Sequence, residues 1–105
     1  MENAQQAQTL PRQFIRNMQD GMHAVFRDFK LQGLKKIRVT VRGCAAGMLN
    51  VFAGENGKLI CSIEMKPAQE WTVFEAAADI EDGVYALDFS YQGDGVFELL
   101  EFTLV

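Results

Sequence analysis

The sequence predicts a single all-β domain, a sandwich or barrel of antiparallel strands. Three observations support this prediction: short alternating apolar runs, turn signals at regular spacing between them, and a length that fits one hydrophobic core. The chain has 105 residues, of which 49% are hydrophobic and 23% are charged, and this composition is ordinary for a globular domain. Strands at this spacing argue against a βαβ protein.

Each predicted strand is a short run that alternates or is largely apolar and lies between turn signals. The runs are residues 24–29, 36–42, 49–53, 59–65, 71–76, 84–91 and 96–105. The clearest alternation is in residues 36–42, where Ile37, Val39 and Val41 are predicted to face inward and the charged residues outward. Gly54-Glu55-Asn56-Gly57 predicts a hairpin, because Asn-Gly tolerates a positive φ.

The domain is predicted to span residues 14–105. Residues 1–13 are polar and rich in Gln and Ala, and they are interpreted as a tail or an edge segment. They lack the cationic start and apolar stretch of a secretory signal, which favours the cytoplasm if the chain is complete. No run of about 18 apolar residues predicts a membrane span.

Charge and cysteine content exclude several classes of function. The net charge of −4 gives no basic face for nucleic acid. Cys44 and Cys61 are too few for a disulfide framework. Leu59, Cys61, Ile63 and Met65 recur at every second position, so Cys61 is predicted to be a buried thiol that packs as a small apolar side chain.

The sequence contains no recognisable catalytic constellation. His23 is the only histidine, and one histidine without a Cys, Ser or second His nearby supplies neither a relay nor a metal site. Glycoside hydrolysis needs two carboxylates on opposite sides of a bond. Glu98 and Glu101 are three apart in a predicted strand and are therefore expected on opposite faces. No catalytic residue is assigned, and the domain is predicted not to be an enzyme by itself.

Aromatic side chains remain as candidates, because sugars lay their C–H faces on flat rings. Trp71 is the sole tryptophan and directly follows the 67–70 loop. It is either an exposed stacking platform or a plug at the edge of the sandwich. Phe74 is three residues further on, so one of the two rings should face inward and the other outward.

These residues resemble carbohydrate-binding modules of family six. Trp71-Thr72-Val73-Phe74 is similar to their Trp-x-x-aromatic step, and residues 14–21 resemble an Ile-x-Asn-x-x-Asp-Gly entry. The segments after residue 74 also follow the order found in this family. They are an alternating aromatic strand over residues 83–89, the turn Gly93-Asp94-Gly95 and a closing apolar strand. Residues 29–43 resemble more specifically the domain that ends bacterial family-43 glycosidases of the arabinofuranosidase and xylosidase type.

The resemblance implies a β-jelly-roll sandwich and a sugar cleft in the loops. In sugar-binding members two rings and an asparagine hold the sugar. Trp71 matches one ring, His23 aligns with the other and Glu98 aligns with the asparagine. Two of these three positions have changed type, which implies weakened binding. Leu100 stands where an aspartate would complete a structural calcium site, so no metal and no cofactor is expected.

The function implied by the resemblance is that of a non-catalytic accessory module of a plant-polysaccharide-degrading glycosidase. Its partners would be a glycosidase catalytic domain and an oligosaccharide or polysaccharide, with weak binding of xylan- or arabinoxylan-type sugars. The alternative is a structural domain that packs against the catalytic domain and binds no free sugar.

Overall fold

The computed structural model describes residues 8–10, 15–54 and 57–105, which form two antiparallel sheets packed face to face. The strands of this part of the chain are β1 (Gln8–Leu10), β2 (Ile15–Met18), β3 (His23–Leu31), β4 (Lys36–Gly43), β5 (Ala46–Ala53), β6 (Lys58–Met65), β7 (Ala68–Ala77), β8 (Gly83–Asp94) and β9 (Phe97–Leu104). The predicted antiparallel β-sandwich is confirmed.

Strands that follow one another in the chain often lie in different sheets. The first sheet has the order β1-β9-β4-β7, and β2 also pairs with β9. The second sheet has the order β3-β8-β5-β6. The hairpin predicted at residues 54–57 joins β5 to β6, although Glu55 and Asn56 lie outside the described residues.

The N-terminal segment contributes an edge strand. Thr9 of β1 lies opposite Thr103 of β9, at the outer side of the first sheet. The interpretation of residues 1–13 as a tail or an edge segment stays a prediction. Residues 1–7 and 11–14 lie outside the described residues, so the predicted domain boundary at residue 14 stays a prediction.

The core lies between the two sheets and is built from the inward positions of alternating strands. Ile37, Val39 and Val41 were predicted to face inward and are almost wholly buried. Leu87, Phe89 and Tyr91 of β8 are buried at alternate positions in the same way. Four phenylalanines form its centre. The Phe102 ring of β9 lies 4.7 Å from that of Phe89, 5.0 Å from that of Phe26 and 5.7 Å from that of Phe29, measured between centroids. Phe102 therefore joins the first sheet to three rings of the second.

A β-bulge changes the expected face of one residue. Val51 lies opposite Cys61 and Phe52 opposite Leu59, so β6 carries Ile60 as an extra residue. Leu59 is consequently 51% exposed, while Ile60 is buried in its place. Contrary to the period-two pattern, Leu59 therefore does not share a face with Cys61, whereas the prediction that Cys61 is buried is confirmed.

The two thiols should differ sharply in reactivity. Burial raises the pKa of the Cys61 thiol to about 11, so it stays protonated at pH 8, whereas Cys44 is exposed. A thiol reagent added at pH 8 is expected to modify Cys44 quickly and Cys61 only after denaturation. Rapid modification of both thiols in the folded protein would contradict the burial of Cys61. A Cys44→Ser variant provides the control, because its folded form should then show no fast-reacting thiol.

Candidate functional site

A cleft of about 680 Å³ opens at one end of the first sheet, where β4 ends and β7 and β9 begin. Its walls come from three segments, namely residues 42–44, 67–69 and 96–98. Arg42 and Glu98 are the charged side chains among these lining residues, and Gln69 adds an amide. The rest of the lining is apolar side chain or backbone, so the cleft combines a few polar groups with an apolar wall.

The close approach of two backbone segments shapes the floor of the cleft. The Cys44 amide donates to the Val96 carbonyl at 2.9 Å, and the Val96 amide donates to Cys44 Sγ at 3.4 Å. Gly43 has a φ of +142°, and a Cβ at this position would lie 2.4 Å from the Val96 carbonyl oxygen. Glycine is therefore required where β4 meets β9.

An irregularity in β7 brings Trp71 beside the cleft. Val41 lies opposite Thr72 while Gly43 lies opposite Ala68, so residues 69–71 of β7 face the single residue Arg42. Phe74 packs against the core, whereas Trp71 is half-buried on the outer face. The prediction that the two rings take opposite faces is confirmed. Because Trp71 lies outside the core, this placement favours the platform interpretation over the plug.

Arg42 links Trp71 to Glu98 across three strands. Its guanidinium carbon lies 4.3 Å from the centroid of the Trp71 ring, within range of a cation–π contact. Its Nε donates to Glu98 Oε1 at 2.7 Å. The structure therefore brings together two of the sequence-predicted site residues, Trp71 and Glu98. The cleft and the adjoining Trp71 ring are called the Trp71 cleft below.

Arg42 itself was not predicted as a site residue. The alternation of residues 36–42 placed it on the outer face, which is correct. Its role depends on which strands flank β4, and the sequence does not give that order. The signal available in the sequence was a charged residue directly before Gly43, at the end of a regular strand.

His23 lies elsewhere. His23 belongs to β3 of the second sheet and lies opposite Ser90 of β8. Its Nδ1 is 3.1 Å from Asp88 Oδ1. Because Leu87 and Phe89 on either side of Asp88 are buried, Asp88 and His23 occupy the outer face of the second sheet. Trp71 occupies the outer face of the first sheet. The expectation that His23 and Trp71 share one cleft is wrong, because the chain enters the second sheet directly after the turn at Gly21.

A second bulge corrects the expected orientation of the two glutamates. Thr40 lies opposite Glu101 and Val41 opposite Leu99, so Leu100 is an extra residue in β9. Arg42, two residues beyond Thr40, lies opposite Glu98. Glu98 and Glu101 consequently share the outer face of the first sheet, and the prediction that they face opposite sides is wrong.

Calcium dependence can be tested directly. Leu100 is half-buried in the bulge, and the described residues contain no group of three or more His, Cys, Asp or Glu side chains arranged to hold a metal. A calcium site needs six to eight oxygen ligands. The melting temperature is therefore expected to be the same in excess calcium and in chelator. A rise of several degrees with calcium, absent with magnesium, would contradict this expectation.

The fold is that of the carbohydrate-binding modules of family six. A family-6 module from Clostridium cellulolyticum in complex with xylose superimposes with a TM-score of 0.81 over 94% of this chain and 86% of that chain, at 17% identity. A β-1,3-glucan-binding family-6 module from Bacillus halodurans gives 0.80 over 93% and 84%, also at 17% identity. The prediction that the domain is not an enzyme by itself stays a prediction. No protein-family model matches the chain.

Sequence similarity links the chain to a glycosidase. It is 37% identical over 91 residues to a xylosidase/arabinosidase of Thermoclostridium stercorarium, which covers 87% of this chain and 19% of that protein. A family-43 arabinoxylan arabinofuranohydrolase from Bacillus subtilis gives a TM-score of 0.78 over 90% of this chain and 21% of that chain, at 20% identity. The chain therefore has the fold of family-6 carbohydrate-binding modules and is similar in sequence to part of a xylosidase/arabinosidase, of whose length it spans 19%. No helix among the described residues is long and apolar enough to cross a membrane.

Proposed function

We propose that this domain is a non-catalytic accessory module that binds xylan- or arabinoxylan-type oligosaccharides weakly in the Trp71 cleft, beside a glycosidase catalytic domain. The observation that carries the proposal is an outward-facing tryptophan at a cleft with polar groups, on a carbohydrate-binding-module fold. Sugars use both components, since a ring receives the C–H face and polar side chains receive the hydroxyls. The similarity to a xylosidase/arabinosidase supports the sugar class.

Weak binding follows from contacts that the protein already makes. The Arg42 guanidinium lies over one face of the Trp71 ring, and its Nε donates a hydrogen bond to Glu98 Oε1. A neutral sugar that stacks on this face must first displace the guanidinium and give up part of the stacking energy to do so. The dissociation constant for neutral oligosaccharides is therefore expected to be no tighter than about millimolar.

Titration calorimetry with xylo- and arabinoxylo-oligosaccharides tests the proposal. Trp71→Ala is expected to lose about 1–3 kcal/mol of binding free energy, which would make binding undetectable. Val73→Ala is the matched control, because Val73 is exposed on the same strand and the same face, two residues further on. Equal losses in the two variants would contradict a site at Trp71, and micromolar binding by the native protein would contradict the predicted weakness.

The alternative function is a packing domain without free-sugar binding. The observation that favours it is the Arg42–Trp71 contact, which covers part of the surface that a sugar would use. The chain also spans only 19% of the length of its curated relative. Absence of heat with every oligosaccharide, together with a stable complex with a family-43 catalytic domain in sedimentation experiments, would establish this alternative.

A further inference from the structure

The Arg42 guanidinium has one edge that forms no hydrogen bond to any described residue. Its Nε bonds to Glu98 and its plane lies over Trp71. Within the described ranges, no protein acceptor is hydrogen-bonded to its terminal Nη groups. The side chain lines the cleft and is 43% exposed, so these N–H groups are accessible to a ligand.

The Nη edge of a guanidinium is suited to binding a carboxylate. Two parallel N–H donors of a guanidinium match the two oxygens of a carboxylate, and charge assistance makes these bonds stronger than those to a neutral hydroxyl. Among the described residues that line the cleft, Glu98 is the only charged residue apart from Arg42. Because Glu98 already bonds to the Nε position, it holds the guanidinium in place, and no residue in the described part of the chain bonds to the Nη groups.

We propose that Arg42 is a specificity-determining residue that makes the Trp71 cleft prefer oligosaccharides carrying a carboxylate, that is, uronic acid residues, over neutral ones. This inference rests on the proposed sugar binding. The carboxylate occupies the Nη edge of Arg42, and the neighbouring sugar ring lies against the apolar wall formed by Pro67, Ala68 and Val96.

The contact between Arg42 and Trp71 adds discrimination against neutral sugars. A neutral sugar ring must displace the guanidinium to stack on the indole face that it covers. The carboxylate of a uronic acid can instead bond to the guanidinium without displacing it. Specificity is a difference between two affinities, and this arrangement lowers one while raising the other. The preference should weaken at high salt, because part of the contact is between partly exposed charges.

The test compares ligands with and without one carboxylate charge. A xylo-oligosaccharide bearing one glucuronic acid is titrated beside its methyl ester and beside the unsubstituted oligosaccharide. Arg42→Gln removes the charge, and Arg42→Lys keeps the charge but removes the two parallel N–H donors of the guanidinium. Arg38→Gln is the matched control. Arg38 lies on the same face of β4, its Nε donates to Glu75 Oε1 at 2.8 Å, and it does not line the cleft.

The acid is expected to bind about tenfold more tightly than its ester. Arg42→Gln should abolish this preference, Arg42→Lys should reduce it, and Arg38→Gln should retain it. Equal binding of acid and ester by the native protein would overturn the inference while leaving the proposed sugar binding intact. Equal losses in the Arg38 and Arg42 variants would overturn it as well, since general charge would then explain the preference. Absence of binding by all three ligands would overturn both proposals.

Discussion

Replacing Phe102 by alanine is expected to lower the free energy of unfolding by about 3–5 kcal/mol, the usual cost of removing a buried phenylalanine. The ring is 1% exposed and contacts Phe26, Phe29 and Phe89 from the other sheet. The cavity would lie where the sheets meet, and stiff flanking strands limit how far it can collapse. Denaturant unfolding followed by circular dichroism measures the loss.

Val84→Ala serves as the control for this variant. Val84 is 67% exposed near the start of β8, so its truncation should change stability by no more than about 0.5 kcal/mol. A loss below about 1 kcal/mol for Phe102→Ala would contradict the described core. If the variant fails to fold, Phe102→Leu provides a milder change, with an expected loss near the lower end of the range for core substitutions.

Gly43→Ala is expected to destabilise the protein by roughly 2–4 kcal/mol and to deform the Trp71 cleft. The added Cβ would lie 2.4 Å from the Val96 carbonyl oxygen and 2.7 Å from Phe97 Cα. These are backbone atoms of the β9 entry, so they cannot move aside as a flexible side chain would. Thermal unfolding measures the stability, and the loss of oligosaccharide binding reports on the cleft.

Gly33→Ala separates the steric effect from the backbone effect. Gly33 also has a positive φ, of +67°, but nothing lies within 4 Å of a Cβ at that position. This variant should cost only about 1 kcal/mol and leave binding unchanged. Similar losses in both variants would show that backbone conformation alone, and not the approach of Val96, governs the behaviour of Gly43.

The strands could be predicted from the sequence wherever alternation was regular. Ile37, Val39 and Val41 are buried as expected, because period-two patterning has one physical cause, the burial of a single face. The predictions failed at bulges. Ile60 and Leu100 are each an extra residue in a strand, and they change the faces of Leu59 and Glu101. An extra residue is visible only once the partner strand is known.

The candidate site could be predicted only in part, because it depends on the order of the strands in the sheet. Trp71 and Glu98 both contact Arg42, because β4 lies between β7 and β9. No local pattern encodes that strand order. His23 was misplaced because its alignment with a ring position gives no information about the sheet to which it belongs.

A titration followed by nuclear magnetic resonance tests most directly whether the Trp71 cleft binds sugar. Trp71 is the only tryptophan, so its indole N–H gives a single side-chain signal that needs no separate assignment. Added xylo-oligosaccharide is predicted to shift this signal together with the amides of Gly43 and Gln69, and to leave those of His23 and Asp88 unchanged. Shifts confined to His23 and Asp88, on the outer face of the second sheet, would contradict the proposed site.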